Sequence, residues 1–448
     1  MDALLNPVLL SVLVLCVLAL SGVHVLLALL IAAVVAGLLA GLGPADIFTT
    51  LVDGLGGQGE TALSYLLLGV LAVMVARSGL TGKLVRTVMP LIRGRRGAVL
   101  FALAGLACFS QNLVPVHIAF IPILIPPLLT AFDRMRIDRR AVACALTFGL
   151  KAPYLIVPLG FGLIFQGIVA EEMSSHGMDL SLGAIPAAMA IPTAGMLVGL
   201  VVAVLVSYRR SREYAEVETR FSIESSEPAG DDETSGDAEP HGGWTWQHVV
   251  VLIALAVTLV LQLVFSSLVI AGLGGVLTIF LLRGERWRRG DEAVTGGVAM
   301  MGTIAFIMLI ASGYAAVLRE TGAVEDLVSA AGGIIGDSHL VGALMMMTVG
   351  LIVTMGIGTS FGTIPVLAAI FVPLAATLGF SPLATAALIG AAGAIGDAGS
   401  PASDSTLGPT SGLNVDGQHD HIWDTCVPTF LHYNIPLFIG GVVAALVL

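Results

Sequence analysis

The chain has 448 residues, of which 56% are hydrophobic and only 11% are charged, and its mean hydropathy is +0.97. This composition excludes an ordinary soluble domain. Apolar runs of about 17 to 25 residues recur along the chain, and each is long enough to cross a hydrocarbon core about 30 Å thick. The four cysteines form no CxxC pair, so neither a disulfide framework nor a zinc site is indicated. The sequence predicts an all-α polytopic membrane protein.

The apolar runs predict a series of membrane segments, three of which are broken by proline or polar residues. The first run lacks a preceding basic region and a small-residue cleavage site, so we interpret it as a retained span. A polar, glycine-rich stretch at 320–338 is expected to form a surface loop or a short interfacial helix. The predicted segments are 4–20, 24–42, 62–78, 97–131 (broken), 141–170 (broken), 184–207, 246–264, 267–282, 294–318, 340–380 (broken), 383–396 and 429–448.

An acidic linker divides the chain into two hydrophobic halves. Ten acidic residues between Glu213 and Glu239 supply nearly all of the net charge of −11. Because this stretch is rich in Ser, Glu, Asp, Gly and Pro, it is predicted to be a disordered cytoplasmic connection. The expected domains are therefore a first membrane half (1–212), the linker (213–243) and a second membrane half (244–448).

The basic residues form four clusters, at 77–96, 134–140, 209–220 and 283–289. Lysine and arginine are enriched in cytoplasmic loops, so all four clusters and the linker are predicted on one side of the membrane. The expected location is the inner (cytoplasmic) cell membrane, as a multi-pass protein.

Two stretches about 250 residues apart share one pattern. Residues 110–116 and 360–366 both read Ser-x4-Pro-Val within an apolar segment, and each is followed by a further proline site, at Pro153 and Pro401. Proline removes a backbone donor, and the polar groups it frees survive at membrane depth only beside protein or a water-filled cavity. Interrupted segments in corresponding positions of two halves are typical of a transporter binding site. The candidate residues around the first prolines are Ser110, Gln111, Asn112, His117, Thr359 and Ser360.

Lys151 is one of only two lysines in the chain and lies in an apolar run, two residues before Pro153. A lysine at that depth costs several kcal/mol unless it reaches an interface, pairs with a carboxylate or loses its proton. The structural interpretation is a snorkelling side chain or a pair that fixes two helices. The functional interpretation is a proton carrier or a substitute cation.

The second downstream site is the polar string 396–406, which holds Asp397, Ser400 and Asp404. Carboxylate, carbonyl and hydroxyl oxygens suit a hard cation, so Asp397 and Asp404 are the candidate sodium ligands. Asp404 is equally open to interpretation as a loop residue or helix cap. The later stretch 414–424 contains His-Asp-His, which we interpret as an extramembrane loop rather than a metal site.

The stretch 110–122 and the string from Gly396 through Asp424 are similar to the sodium/proton antiporter family of NhaC type, within the ion transporter superfamily. The nearest branch includes suspected amino-acid (histidine) permeases. The resemblance implies two inverted repeats with re-entrant hairpins and interrupted helices, and a transport domain moving against a scaffold that often dimerises. It carries site roles over to Ser110, Gln111, Asn112, Thr359, Ser360, Asp397, Ser400 and Asp404.

The predicted function is cation-coupled secondary transport by alternating access, with sodium/proton antiport as the leading version. The alternative is sodium- or proton-coupled uptake of a histidine-like amino acid. An ion channel fits less well, because inverted broken repeats favour a coupled carrier. An intramembrane aspartyl protease would need a second aspartate and a GxGD arrangement, which the sequence lacks. The chain is therefore expected to be no enzyme, to need no cofactor beyond the coupling ion, to form a homodimer in the lipid bilayer and to bind no nucleic acid.

Overall fold

The computed structural model describes residues 6–78, 96–112, 120–159, 161–215, 245–265, 267–283, 287–323, 326 and 338–448. Within these ranges every regular element is helical. The helices are α1 (Pro7–Leu20), α2 (Val25–Leu39), α3 (Pro44–Gly54), α4 (Gly59–Arg77), α5 (Arg96–Asn112), α6 (Phe120–Arg134), α7 (Arg139–Ile156), α8 (Phe161–Ser175), α9 (Ile185–Ala188), α10 (Ala190–Val202), α11 (Trp246–Phe265), α12 (Leu268–Arg283), α13 (Trp287–Glu320), α14 (His339–Ile357), α15 (Ser360–Leu378), α16 (Pro382–Ile395), α17 (Asp404–Leu413), α18 (Val427–Thr429) and α19 (Ile435–Val447).

Six helices in the described ranges are long and apolar enough to cross a membrane, or up to eight if each of two bent pairs counts as one span. The predicted all-α polytopic architecture with interrupted helices is therefore confirmed. The predicted linker (213–243) lies outside the described residues except for its first three positions. Most of the polar stretch 320–338 lies outside them too, so both remain predictions.

The break after α7 lies later than the sequence predicts. Pro153 stays inside the helix, and α7 ends at Ile156. Val157 then adopts an extended conformation (φ −94°, ψ 113°) because it precedes Pro158, and proline disfavours helical backbone in the residue before it. The next helix, α8, starts at Phe161 and is bent by 49° from α7.

The second half contains two interruptions. Gly358 ends α14 in the left-handed region (φ +74°), which lets the chain turn directly into α15. The two parts of α15 are bent by 49° at a break near residue 370, between its prolines at 365 and 373. Further on, α16 gives way to one turn of 3₁₀-helix at Asp397–Gly399, and helix resumes only at Asp404.

Two helices, α3 and α17, were not predicted. In α3 the buried Ile47 and Leu51 are four residues apart on one face, while polar and glycine residues keep the segment's hydropathy low. In α17, Pro409 and several hydroxyl residues conceal a helix whose positions 405–413 are all buried. Burial by neighbouring helices, rather than local hydropathy, sets these two elements.

The centre of the molecule is formed by α7, α16 and α17. Nearly every side chain of α7 is buried, and so is 94% of the most apolar 18-residue stretch within Pro382–Leu413. Outer helices instead expose apolar side chains such as Leu13, Val264 and Leu281. Such side chains are suited to lipid contact. Gly396 joins α16 to the 3₁₀ turn at a place where a Cβ would collide with the backbone of Met355.

Residues from the basic clusters and their neighbours meet at one end of the molecule, here called the basic end. Arg77 pairs with Glu292, which follows the 283–289 cluster, at 3.4 Å. Arg139 and Arg212 both bind carboxylates of the segment 414–424. These contacts involve one residue each from three of the clusters, and the side of the membrane on which the clusters lie stays a prediction.

Candidate functional site

A buried ion pair between Lys151 and Asp397 joins the two halves of the chain. The ammonium Nζ contacts the carboxylate Oδ2, and the two side chains are 6% and 2% exposed. Lys151 lies near the end of α7, one turn before the chain breaks, and Asp397 begins the 3₁₀ turn after α16. The two proline sites that were predicted as counterparts, around Pro153 and Pro401, therefore lie next to each other in the fold.

Hydroxyl groups surround the Asp397 carboxylate. Ser360 Oγ donates to Oδ2 at 2.6 Å, and Ser403 Oγ donates to Oδ1. Ser405 Oγ donates to the Asp397 carbonyl at 3.0 Å and lies 3.4 Å from Oδ1. Tyr154 OH bonds to Ser360 Oγ at 2.9 Å. We call these residues, with Lys151, the Asp397 cluster. Its oxygen atoms are of the kinds that hard monovalent and divalent cations prefer.

The start of α15 also points at this carboxylate. The Ser360 backbone N–H donates to Asp397 Oδ2 at 3.3 Å. Ser360 is the first residue of α15, and the N-terminus of a helix presents unpaired N–H groups and a partial positive charge. The left-handed Gly358 makes this approach possible, because α15 begins only two residues after it.

The charges of Lys151 and Asp397 balance each other, so the stability of the cluster depends on both residues. Removing one member of a buried ion pair leaves an uncompensated charge, which costs about 3–5 kcal/mol. The ammonium also lies 5.4 Å from the centre of the Tyr154 ring, within cation–π range. A cation that bound Asp397 would have to displace the ammonium of Lys151 or lie beside it. The arrangement can therefore exchange one positive charge for another.

The predicted site residues have different positions. Lys151, Ser360 and Asp397 come together, as described above. Ser400 is buried next to the cluster and donates to Met355 O at 3.3 Å. Thr359 immediately precedes α15, and its carbonyl accepts from Thr363 Oγ1 at 2.6 Å.

Asp404 lies at the edge of the Asp397 cluster. It begins α17, and one of its carboxylate oxygens lies 3.5 Å from Ser403 Oγ. The role of Asp404 as a sodium ligand stays a prediction. Among the described residues, no group of three or more His, Cys, Asp or Glu side chains converges on one point.

The first-copy candidates are only partly visible. Ser110, Gln111 and Asn112 form the end of α5, but their side chains lie outside what the structure describes, and so does the whole of His117. Their predicted roles stay predictions.

Three members of the cluster were not predicted: Tyr154, Ser403 and Ser405. Tyr154 is three residues after Lys151 and so lies on the same face of α7. Ser403 and Ser405 flank Asp404 in the polar string. The three-residue spacing from Lys151 could have identified Tyr154 from the sequence. The positions of the two serines depend on how the chain folds back after Pro401.

Two cavities approach the cluster from opposite ends. The basic-end cavity has a volume of about 680 Å³ and is lined by Arg77, Thr410, Asp420 and His421 among others. The far cavity, of about 300 Å³, is lined by residues that include Thr359, Ala402, Asp404 and Arg319. Both lie between α13 and α17.

A short stretch of α13 and of α17 separates the two cavities. Along α13, Ile307 lines the basic-end cavity and Met308 lines the far one. Along α17, Leu407 lines the first and Asp404 the second. Three residues of helix span about 5 Å, so the cavities approach within about one helical turn. Broken helices around a buried ion pair, with cavities at both ends, are the arrangement of a membrane transporter.

The chain belongs to the Na⁺/H⁺ antiporter family. The model of that family matches residues 145–446, and a second Na⁺/H⁺ antiporter family model matches residues 6–92. The chain is 47% identical over 457 residues to a membrane protein of Vibrio parahaemolyticus, covering 99% of this chain and 100% of that one. It is 46% identical over 423 residues to the Bacillus subtilis protein named "Putative amino acid transporter YuiF", covering 91% and 92%.

Two solved structures are similar over most of their length. One is MtrF of Neisseria gonorrhoeae, described with a class of antimetabolite efflux pumps, at a TM-score of 0.44 and 15% identity, covering 90% of this chain and 85% of that one. The other is the YdaH transporter of Alcanivorax borkumensis, at a TM-score of 0.41 and 19% identity, covering 89% and 87%.

Proposed function

We propose that this multi-pass membrane protein is a cation-coupled secondary transporter in which Asp397 binds either Lys151 or a transported cation. The observation that carries the proposal is the buried Lys151–Asp397 pair inside a ring of serine hydroxyls. The leading version is sodium/proton antiport in the inner cell membrane, by alternating access and without a resident cofactor.

The exchange follows from charge balance at one carboxylate. When a sodium ion takes Lys151's place, Asp397 and the hydroxyls of Ser403 and Ser405 offer it oxygen ligands. Lys151 then has no anionic partner in the cluster, and in a poorly hydrated site it releases its proton rather than remain charged. When sodium leaves, Lys151 takes up a proton and restores the pair. One sodium ion is thereby exchanged for one proton.

The family supports the antiport version, and the position of the cluster supports alternating access. Ser360 and Ser403 each neighbour a residue that lines the far cavity, Thr359 and Ala402 respectively. On the other side, His421 lines the basic-end cavity and bonds to the Pro401 carbonyl at 2.8 Å. A small movement of α17 against α13 would expose the cluster to one cavity or the other.

The test is sodium-driven proton movement in proteoliposomes that contain a pH-sensitive dye. The wild-type protein should acidify or alkalinise the lumen according to the sodium gradient. Asp397→Asn should lose this exchange by at least about 100-fold, because the amide has no charge to offer either cation. Asp46→Asn, an exposed carboxylate in the first turn of α3, is the matched control and should keep wild-type exchange. Wild-type exchange by Asp397→Asn would refute the proposal.

A second candidate is cation-coupled amino-acid uptake. The basic-end cavity, at about 680 Å³, is far larger than one dehydrated cation requires. The name of the Bacillus subtilis relative points the same way. Uptake of labelled L-amino acids driven by a sodium or proton gradient would support this version. Sodium-driven proton movement with no effect of any amino acid would support simple antiport.

A homodimer remains part of the proposal, since the family resemblance implies a scaffold that dimerises. Native mass spectrometry of the protein in nanodiscs would test it, and a monomer at all concentrations would contradict it.

A further inference from the structure

The basic-end cavity carries charges of both signs on different elements. Arg77 ends α4, and its Nη1 donates to Glu292 at 3.4 Å. A guanidinium carries five N–H donors in all, so one arginine can bind more than one acceptor. Asp420 is an exposed carboxylate in the segment that follows α17. Both side chains line the same cavity of about 680 Å³.

Among the described lining residues, the others include no aspartate, glutamate, lysine or arginine and are partly polar and partly apolar. Thr410, Asn414 and His421 contribute hydrogen-bonding groups, while Ile304 and Leu407 contribute apolar surface. Trp423 also lines the cavity and is 55% exposed, so its indole offers a flat face to an occupant. Pockets that bind small organic ligands combine an apolar lining with a few converging polar groups.

We propose that this cavity is a binding site for a zwitterionic α-amino acid, with the ammonium on Asp420, the carboxylate on Arg77 and the side chain against Trp423. This inference rests on the amino-acid version of the proposed function and assigns its substrate site. It separates the organic substrate from the cation, which binds in the Asp397 cluster.

The charge pattern disfavours other ligand classes. Arg77 and Asp420 are the arginine and aspartate among the described lining residues. A purely anionic ligand would be repelled by Asp420, and a purely cationic ligand would be repelled by Arg77. A metal ion lacks ligands, because no group of three or more His, Cys, Asp or Glu side chains converges anywhere in the described parts of the chain. A zwitterion satisfies both charges at once.

His421 connects the cavity with the Asp397 cluster. One of its ring nitrogens lies 2.8 Å from Thr410 Oγ1, and the other lies 2.8 Å from the Pro401 carbonyl. Pro401 stands between Ser400 and Ser403 in the interrupted stretch that follows Asp397. An amino acid that moved His421 would therefore act on the backbone that holds the cation site. This contact gives substrate binding a direct route to the coupling cation.

The experiment is a titration of the full-length protein in nanodiscs with each proteinogenic L-amino acid, followed by tryptophan fluorescence. At least one amino acid should change the emission saturably, and Trp423→Phe should remove most of that change. Trp246→Phe is the matched control, since that exposed indole begins α11 and does not line the cavity, and it should keep the change.

The charge assignment is tested with Asp420→Asn and with ligand analogues. Asparagine keeps the cap that Asp420 Oδ1 provides to the Trp423 N–H at 2.7 Å, so the segment should stay folded. Asp420→Asn should weaken binding by at least about tenfold, the usual value of one charge-assisted hydrogen bond. The decarboxylated amine of the best amino acid, and its deaminated acid, should each bind at least about tenfold more weakly. Asp291→Asn, an exposed acid that does not line the cavity, should bind normally.

Each remaining outcome overturns the inference. If no amino acid changes the emission, or if Asp420→Asn and the single-charge analogues bind as well as their parents, the zwitterion site is wrong. Sodium-driven proton exchange is measured on the same preparation. Exchange without amino-acid binding would refute this inference alone, whereas amino-acid binding without exchange would refute the antiport version alone.

Discussion

Two cations on one helix, Arg139 and Lys151, bind the second half of the chain in different ways. They lie at opposite ends of α7, twelve residues or about 18 Å apart. Arg139 is fully buried and makes five hydrogen bonds, to Asp133, Asp416 and the Leu413 carbonyl. Lys151 makes one ion pair, with a carboxylate that serine hydroxyls also bind.

The difference is between a set of fixed contacts and an ion pair that can exchange its cation. A guanidinium keeps its proton and holds two carboxylates in a planar fork, so the Arg139 contacts have little reason to exchange. A lysine ammonium is a point charge that can release its proton when it is desolvated. The Arg139 contacts fix α7 to the basic end of the second half and are called the clamp. The Lys151–Asp397 pair, which we propose to be exchangeable and call the switch, lies where α7 and α16 are interrupted.

The largest expected effect comes from replacing Lys151 with arginine, the residue type that forms the clamp. Lys151→Arg keeps the positive charge but removes the releasable proton, so sodium/proton exchange should fall by at least about 100-fold. The protein should remain folded, because Asp397 still has a cationic partner. Exchange is measured in proteoliposomes, and the unfolding temperature in detergent. A Lys151→Arg protein that exchanges at the wild-type rate would show that Lys151 is structural.

Breaking the clamp should reduce stability instead of exchange. Arg139→Ala leaves Asp133 and Asp416 without their shared cation and should cost about 3–5 kcal/mol of unfolding free energy. The measurement is denaturant unfolding in detergent, with exchange normalised to folded protein. Arg134→Ala, an exposed arginine at the end of α6, is the control and should change stability by less than about 0.5 kcal/mol. An equal loss in both variants would contradict the clamp.

A smaller effect should follow from removing one hydroxyl next to Asp397. Ser403→Ala removes a donor to Oδ1 and one oxygen ligand for a bound cation. The sodium concentration for half-maximal exchange should rise by about tenfold, corresponding to about 1.4 kcal/mol. Ser174→Ala, whose exposed hydroxyl bonds Asp179 at 2.6 Å, should leave that concentration unchanged. An unaltered sodium dependence in Ser403→Ala would remove Ser403 from the site.

The smallest effect concerns pH at the basic end. Burial lowers the pKa of His419 to about 3, so this histidine stays neutral in the folded protein at pH values where the unfolded chain binds a proton. Its folded pKa is depressed below about 6.5, so its contribution to stability falls as pH drops from about 6.5 toward 3, by at most about 1.4 kcal/mol per pH unit.

His419→Gln should therefore flatten the decline of unfolding temperature between pH 7.5 and pH 5.5. His176→Gln, at the surface near the end of α8, should leave the decline as it is. The contrast with Asp416 sharpens the test. Burial opposes ionisation of Asp416, but the hydrogen bonds from Arg139 outweigh it and hold the Asp416 pKa below its usual range. Asp416 thus keeps its charge, and its pair with Arg139, over this pH range. If unfolding temperature falls with pH equally in the wild type, His419→Gln and His176→Gln, the role of His419 is refuted.

Local pattern was enough for the membrane architecture and for half of the candidate site. Long apolar runs identify membrane helices because the lipid core leaves little alternative for the backbone. Lys151 and Asp397 were recognisable for the same reason, since an ionisable residue in an apolar run is costly and needs a partner.

Only the tertiary structure decided which residues become partners. The sequence treated Lys151 and Asp397 as equivalent positions of two copies, whereas the fold brings them into one ion pair 246 residues apart along the chain. It also places Asp404 in the wall of the far cavity, and it makes α17 a helix despite Pro409. Pairings of this kind depend on how broken helices cross, and crossing is set by packing among many distant side chains, which no local period in the sequence encodes.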